Sequence, residues 1–279
     1  MTHEGHEEYS PIVSIYRELR KIHPHWRVEI GEPHGRGWIR GADLRTAEHG
    51  PFHALLTHTG EHFQTADRRT IAASFALCYG WSAGVAIAPY LFHQCVPNVS
   101  LDNVSFQFYE NTFFQGAALH RPEGVMLRPE GAAPHPAVQW LDGPQALLER
   151  LRDGLVQQAE PVVKALYDWS HFSVRGIWGL LASSWGAQFI NISGEVGGQA
   201  GGLPRVRQFF AGNDLVAQMQ PDFYPVTFRN VTHVYHRRAA CCRFYKFPQG
   251  ELCASCPVVS QEERLRRNRA YMQYLLERH

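Results

Sequence analysis

The amino-acid sequence predicts an α+β fold: packed helices with an antiparallel sheet from about residues 104–119 and 223–236, followed by a small cysteine-bearing C-terminal segment. Three observations carry that expectation. Apolar residues recur at helical spacing over residues 11–21, 67–93, 144–169 and 177–190. They alternate over residues 104–119 and 223–236, as half-buried strands require. Four of the six cysteines fall between Cys241 and Cys256.

Taken in order, residues 11–21 put Ile12, Val13, Ile15, Tyr16 and Leu19 on one helical face, with Ser10 as N-cap and Pro11 as the first helical residue. Residues 23–60 are rich in Gly, Pro and His, so only short strands such as 26–30 are expected there. Residues 71–92 hold no charge, and about 20 apolar residues is the length of a membrane span. Ser74, Gly80, Ser82, Gly84 and Pro89 dilute that run, however, and Ala outweighs Leu and Ile. It is expected as one buried helix, or two meeting near residues 80–84, without stable membrane insertion.

Val104, Phe106 and Phe108 lead through Glu110, Asn111 and Thr112 to Phe113, Phe114 and Ala117, the pattern of a hairpin around a polar turn. Residues 121–136 form a Pro/Gly-rich loop. Leu147, Leu148, Leu151, Leu155, Val156, Val162, Val163 and Leu166 mark an amphipathic helix pair bent at Pro161. A second apolar helix covers 177–190, and 194–204 reads as a Gly-rich connector. After the strand pair of 223–236, Ser260 and Glu263 form a capping box that opens a last helix carrying Leu265, Tyr271, Met272, Leu275 and Leu276. No internal repeat is visible.

At 279 residues and 44% hydrophobic content, the chain can bury a substantial core. Lys and Arg total 27 against 26 Asp and Glu, a formal charge of +1 without the basic excess of a nucleic-acid binder. Residues 1–10 carry three acidic residues and two histidines and no apolar run, unlike a secretory or transit leader, so a cytoplasmic location is expected. In that reducing compartment a disulfide framework is not expected, and cysteines crowded into one short segment read as metal ligands. Cys78 and Cys95, in apolar surroundings, read as buried core residues.

Cys241 and Cys242 are adjacent, and ten residues later Cys253 and Cys256 form a Cys-x-x-Cys. Four thiolates suit a [2Fe–2S] core, with two on each iron, and equally suit a closed zinc site. Adjacent side chains diverge, which a wider two-iron core tolerates better than one ion does. Iron–sulfur is therefore favoured, with zinc and redox dithiol chemistry as alternatives.

The block RRAACCRFYKFPQGELCASCP (237–257) resembles the C-terminal signature of the ferric-siderophore reductase family, the ferric hydroxamate reductases, whose [2Fe–2S] motif is Cys-Cys-x10-Cys-x2-Cys. Weaker similarity extends to residues 155–166 and 177–190. The resemblance implies Cys241, Cys242, Cys253 and Cys256 as ligands and a division into an α+β siderophore-binding domain (1–236) and a cluster-binding segment with a C-terminal helix (237–279). It also implies one-electron reduction of siderophore-bound Fe(III), most readily of the hydroxamate type, with release of Fe(II) in the cytoplasm. Reduction releases the metal because ferrous iron binds hard oxygen ligands far more weakly than ferric iron. A non-catalytic zinc- or cluster-binding module acting as a ligand or partner platform is the competing expectation.

Arg237, Arg238, Arg243 and Lys246 flank the cysteines and are candidates to hold an anionic chelate or to tune the cluster. Tyr235, Phe244, Tyr245 and Phe247 are candidates to wall it from water, or simply to pack. Glycines at 35, 37 and 41 miss the dinucleotide fingerprint, so a separate ferredoxin-type or flavin reductase is expected to supply electrons. His58, Glu61 and His62 match the letters of a zinc-protease motif, but Gly60 weakens the helix it needs; His49 and His53 read as exposed loop histidines.

Overall fold

The computed structural model describes residues 10–22, 27–109 and 113–278. The chain divides into two units, one formed by residues up to His58 with Ser82–Trp169, the other by Thr59–Trp81 with Ser170–His279.

In the first unit, α1 (Pro11–Ile22) buries Ile12, Val13, Ile15, Tyr16 and Leu19, the face that the sequence marks. The Tyr16 hydroxyl donates to the Val85 carbonyl at 2.6 Å, satisfying a phenol in the core. Strands β1 (Val28–Ile30) and β2 (Trp38–Arg40) flank the hairpin of β4 (Val104–Phe108) and β5 (Phe114–Leu119) in a four-stranded sheet ordered β1-β5-β4-β2. The hairpin is antiparallel, with Phe106 opposite Ala117, whereas β1 runs parallel to β5. Its expected polar turn, 110–112, lies outside the described residues, as do 1–9 and the start of the expected strand at residue 26. A second sheet joins β3 (Cys95–Pro97), β6 (Gly124–Leu127) and β7 (Val138–Leu141).

Residues 124–127, expected within a loop, form strand β6. Three further expectations need correction. The His-rich stretch is not loop: α2 (Gly50–His62) buries Phe52 and Leu56, one helical turn apart, and Pro51 sits in its first turn, where a missing N–H costs nothing. His53 is accordingly no exposed loop residue; its Nδ1 lies 2.9 Å from the Ala47 carbonyl and its ring meets Trp169 edge-on. The expected helix pair is one 27-residue helix, α5 (Pro144–Ser170), continuous through Pro161. Burial of Leu147, Leu151, Leu155, Val162 and Leu166 along one face offsets the ~3 kcal/mol cost of an interior proline.

The third correction lies in the second unit. Its long helix α6 (Val174–Gly197) runs past the expected end, and the supposed connector is α7 (Gln199–Ala211). Gly202 serves packing there: a Cβ on it would lie 2.7 Å from the Ser193 Cβ, so the two helices approach at a position where no side chain fits. A short α8 (Asp214–Ala217) leads to the hairpin β8 (Asp222–Phe228) and β9 (Val231–Arg237), paired antiparallel from Asp222↔Arg237 to Phe228↔Val231. The two hairpins thus belong to separate sheets.

The uncharged run resolves into α3 (Arg68–Tyr79), a 3-10 turn at Gly80–Ala83 and α4 (Gly84–His93), the two helices expected to meet near residues 80–84. Arg68–His93 is long and apolar enough to cross a membrane by length and composition alone, but 89% of its most apolar window is buried. The last helix, α9 (Gln261–Leu276), forms half of the expected capping box: the Glu263 N–H donates to Ser260 Oγ at 3.2 Å. The Glu263 carboxylate instead accepts from Arg266 and Arg267, which hold it down to about 2.

Candidate metal centre

Strand β9 ends at Arg237, and the chain then turns through both cysteine pairs before α9 begins. Neighbours within the second unit hold this loop at several points. At its start, the Ala239 N–H donates to Ser183 Oγ on α6 at 3.0 Å, and a Cβ on Gly179 would come 2.9 Å from that of Ala240. Next, Arg243 reaches α3: its Nε donates to Thr70 Oγ1 at 3.0 Å and its Nη2 to Asp67 Oδ2 at 2.8 Å. Partial burial pushes the Asp67 carboxyl up, but hydrogen bonds from Thr70 and Arg243 outweigh it and hold the group below its usual range. Phe247 is buried and stacks on Phe63, with ring centroids 4.3 Å apart. On the far side Arg267 donates to the Leu252 carbonyl.

A tight turn brings the second cysteine pair back toward the first. The Gly250 N–H donates to the Phe247 carbonyl at 2.9 Å, and a Cβ at Gly250 would collide with the Phe244 carbonyl oxygen. The Arg238 N–H donates to the Ser255 carbonyl at 2.8 Å, tying the start of the loop to the middle of Cys-x-x-Cys.

The four thiols come near one another here, Cys242 beside Cys253, and Cys256 beside both Cys241 and Cys253. Donors surround them. Arg238 Nη1 lies 3.0 Å from Cys242 Sγ, the Arg243 N–H 3.4 Å from Cys241 Sγ, and Ser255 Oγ 3.5 Å from Cys253 Sγ. Cys242 and Cys256 are buried, while Cys241 and Cys253 are partly exposed. Contact with Cys242 holds the Cys253 thiol down to about 5 and pushes Cys242 up, while Arg238 draws both toward thiolate. Burial is the main influence raising Cys256.

Among the described residues, no three His, Cys, Asp or Glu side chains converge as a single ion requires. The thiols, with the N–H donors around them, suit a negatively charged iron–sulfur core, whose sulfurs accept such bonds. The family model of the FhuF 2Fe-2S C-terminal domain matches residues 238–257. That domain indicates a [2Fe–2S] cluster and supports a ferric-siderophore-reductase-like iron–sulfur protein. No curated protein matches the chain.

The other candidates distribute unevenly around the FhuF-type segment. Arg238 touches a cysteine sulfur, and Arg243 is committed to Asp67 and Thr70. Arg237 lies 3.8 Å from Asp222 on the surface, and Lys246 sits over the Tyr245 ring. Phe244 and Tyr245 are exposed. Burial pushes the Tyr235 phenol up to about 12. Sequence reasoning missed Asp67, Thr70, Ser183, Gly250 and Ser255. Only Ser255, inside Cys-x-x-Cys, and Gly250, in a Pro-Gln-Gly turn, carried a local signal; the others act across long sequence separations.

Proposed function

We propose that Cys241, Cys242, Cys253 and Cys256 hold the [2Fe–2S] cluster and that the protein reduces siderophore-bound Fe(III) to Fe(II) one electron at a time. The observation that carries this reading is that all four thiols fall inside the matched segment beside N–H donors, with Cys241 and Cys253 partly exposed. When bound, the cluster supplies single-electron transfer. The surrounding residues do the rest. Arg238 and the backbone N–H groups offset negative charge on the sulfurs, and the partial exposure of Cys241 and Cys253 leaves a short path to the surface.

The substrate is Fe(III) held by the oxygen ligands of a siderophore, hydroxamate chelates foremost; gain of one electron weakens every Fe–O bond and frees Fe(II) in the cytoplasm. A ferredoxin or flavin reductase supplies the electron. We assign siderophore contact to residues 1–236, where a cleft of about 440 Å³ in the first unit offers Arg45, Asn98, Arg150, Gln157 and Gln158 to an oxygen-rich ligand, and secondarily to the exposed Arg237 and Lys246. No membrane insertion is needed, since the apolar run is buried.

Anaerobic titration tests the proposal. A coloured preparation whose visible absorption is bleached by dithionite and restored by a ferric hydroxamate, with Fe(II) appearing, supports it. A colourless zinc protein overturns it.

A further inference from the structure

Helix α9 (Gln261–Leu276) lies wholly beyond the matched segment, which ends at residue 257. Its buried residues are Arg264, Asn268 and Met272, spaced four apart along one stripe, so two of the three are polar. A guanidinium only 5% exposed is costly to bury unless its N–H groups are bonded. Arg264 Nη2 donates to the Val259 carbonyl at 2.6 Å, and Asn268 Nδ2 donates to the Tyr224 hydroxyl on β8 at 2.9 Å. Three residues beyond Arg264, Arg267 Nη1 donates to the Leu252 carbonyl, while its Nε donates to the Glu263 carboxylate at 2.6 Å and is oriented by it.

The two carbonyls bracket the Cys-x-x-Cys. Leu252 directly precedes Cys253, and Val259 follows Cys256 by three residues. Between them the chain makes two successive turns: the Cys256 N–H donates to the Cys253 carbonyl at 3.1 Å and the Val259 N–H to the Cys256 carbonyl at 3.3 Å. This stretch belongs to no helix or strand, and turns of that kind open readily when nothing else holds them. Charge-assisted bonds at both ends fix where the turns start and stop. Asn268 in turn ties the helix to β8, so the clamp is anchored to the hairpin that feeds the site.

We propose that Arg264 and Arg267 are positioning residues for the cluster: from one helix they hold both ends of the Cys253–Cys256 turn, which makes α9 a working part of the cluster site. This rests on the ligand set proposed above and adds two residues outside the matched segment. Both guanidinium groups act on carbonyls, so removing either leaves all four thiols in place and changes only how Cys253 and Cys256 are presented. A loosened turn should release iron faster, and displaced sulfurs should alter the electronic structure of the reduced cluster.

The test uses full-length, cluster-loaded protein. Iron transfer to a chelator, the EPR spectrum of the dithionite-reduced cluster and thermal unfolding are measured for Arg264→Met, Arg264→Lys, Arg267→Gln and Met272→Ala. Arg264→Met should lose iron about tenfold faster, the order expected when a hydrogen bond from a charged donor is removed, and its EPR spectrum should shift. Arg264→Lys, which keeps a charged donor, should recover part of both changes. Arg267→Gln should show a smaller change in the same direction, since its side chain is 35% exposed. Met272→Ala, in the same buried stripe but supplying neither bond, should melt lower yet keep the wild-type rate and spectrum. Wild-type behaviour in both arginine variants, or equal acceleration in Met272→Ala, overturns the proposal and leaves α9 a merely stabilising helix.

Should Arg264→Met fail to fold or load, amide exchange followed by NMR in iron-free Arg267→Gln decides. The Cys256 and Val259 N–H groups should exchange faster than in iron-free wild type, while those of the β8–β9 hairpin keep their rates. Unchanged exchange at Cys256 and Val259 overturns the proposal. Absence of iron and sulfide from wild-type protein defeats the function proposed above; a loaded, siderophore-reducing wild type whose arginine variants are unaffected defeats this inference alone.

Discussion

Cys78 and Cys95 differ from the four C-terminal cysteines in everything except residue type. Both are buried, and burial pushes each thiol up to about 12, so they are neutral and unreactive. Cys242 and Cys256 are just as buried, yet each meets a second thiol, and polar hydrogens from Arg238, Phe244 and Val258 point at their sulfurs. Burial alone makes a cysteine a small hydrophobe; burial with another sulfur and with N–H donors makes a ligand.

The sharpest way to break that comparison is to exchange single atoms in each group. Cys241→Ser, Cys242→Ser, Cys253→Ser and Cys256→Ser should each lose or destabilise the cluster, because a serine alkoxide is harder and more basic than a thiolate. Cys78→Ala and Cys95→Ala should keep full iron and sulfide at a cost of about 1–2 kcal/mol in stability. Iron and sulfide analysis beside a thermal melt checks both halves. Full loading in any of the first four removes that residue from the ligand set.

A smaller effect is expected from the turn that folds the second pair onto the first. Gly250→Ala should lower cluster retention and destabilise the loop by roughly 2 kcal/mol, since the new Cβ must displace the Phe244 carbonyl. Equal loading and an unchanged melt would show that the turn adapts freely.

His236 gives a pH signature to the strand that feeds the site. Burial, with Arg238 nearby, lowers this imidazole to about 4 from an ordinary 6.5. The folded state then binds fewer protons than the unfolded chain between those values. Stability should therefore decline as pH falls from 6.5 toward 4 and change no further through this group below that. His236→Gln should flatten that part of the pH–stability curve, measured by denaturant titration.

The smallest effect belongs to the Arg243 anchor. Both partners of its ion pair with Asp67 are part-exposed, so Asp67→Asn should cost only about 0.5–1 kcal/mol, and less at high salt, with the cluster retained.

What was legible in the sequence follows from the range of the interactions. The helix faces, the two hairpins and the adjacent-cysteine motif are local patterns, and the structure has them where residues 11–21, 104–119 and 223–236 place them. Helix α2 was hidden because Gly50 and Pro51 at its start look like a loop, although Phe52 and Leu56 are one turn apart. Helix α7 was hidden because Gly202 serves a neighbour in α6 that the local pattern does not reveal. For the same reason the contacts of Arg243 with Asp67 and of Ala239 with Ser183 were invisible. Spacing identified the cysteines but could not say that Cys242 faces Cys253.

Siderophore-iron reduction is tested most directly by anaerobic stopped-flow mixing of dithionite-reduced, desalted protein with a panel of ferric siderophores while visible absorption is followed. Reoxidation of the cluster should accompany the appearance of one Fe(II) per protein, trapped by a ferrous chelator, with hydroxamates reacting fastest. A protein that stays bleached against every ferric chelate, while still reoxidising in air, would contradict a siderophore-reducing role and leave an iron–sulfur protein with another electron acceptor.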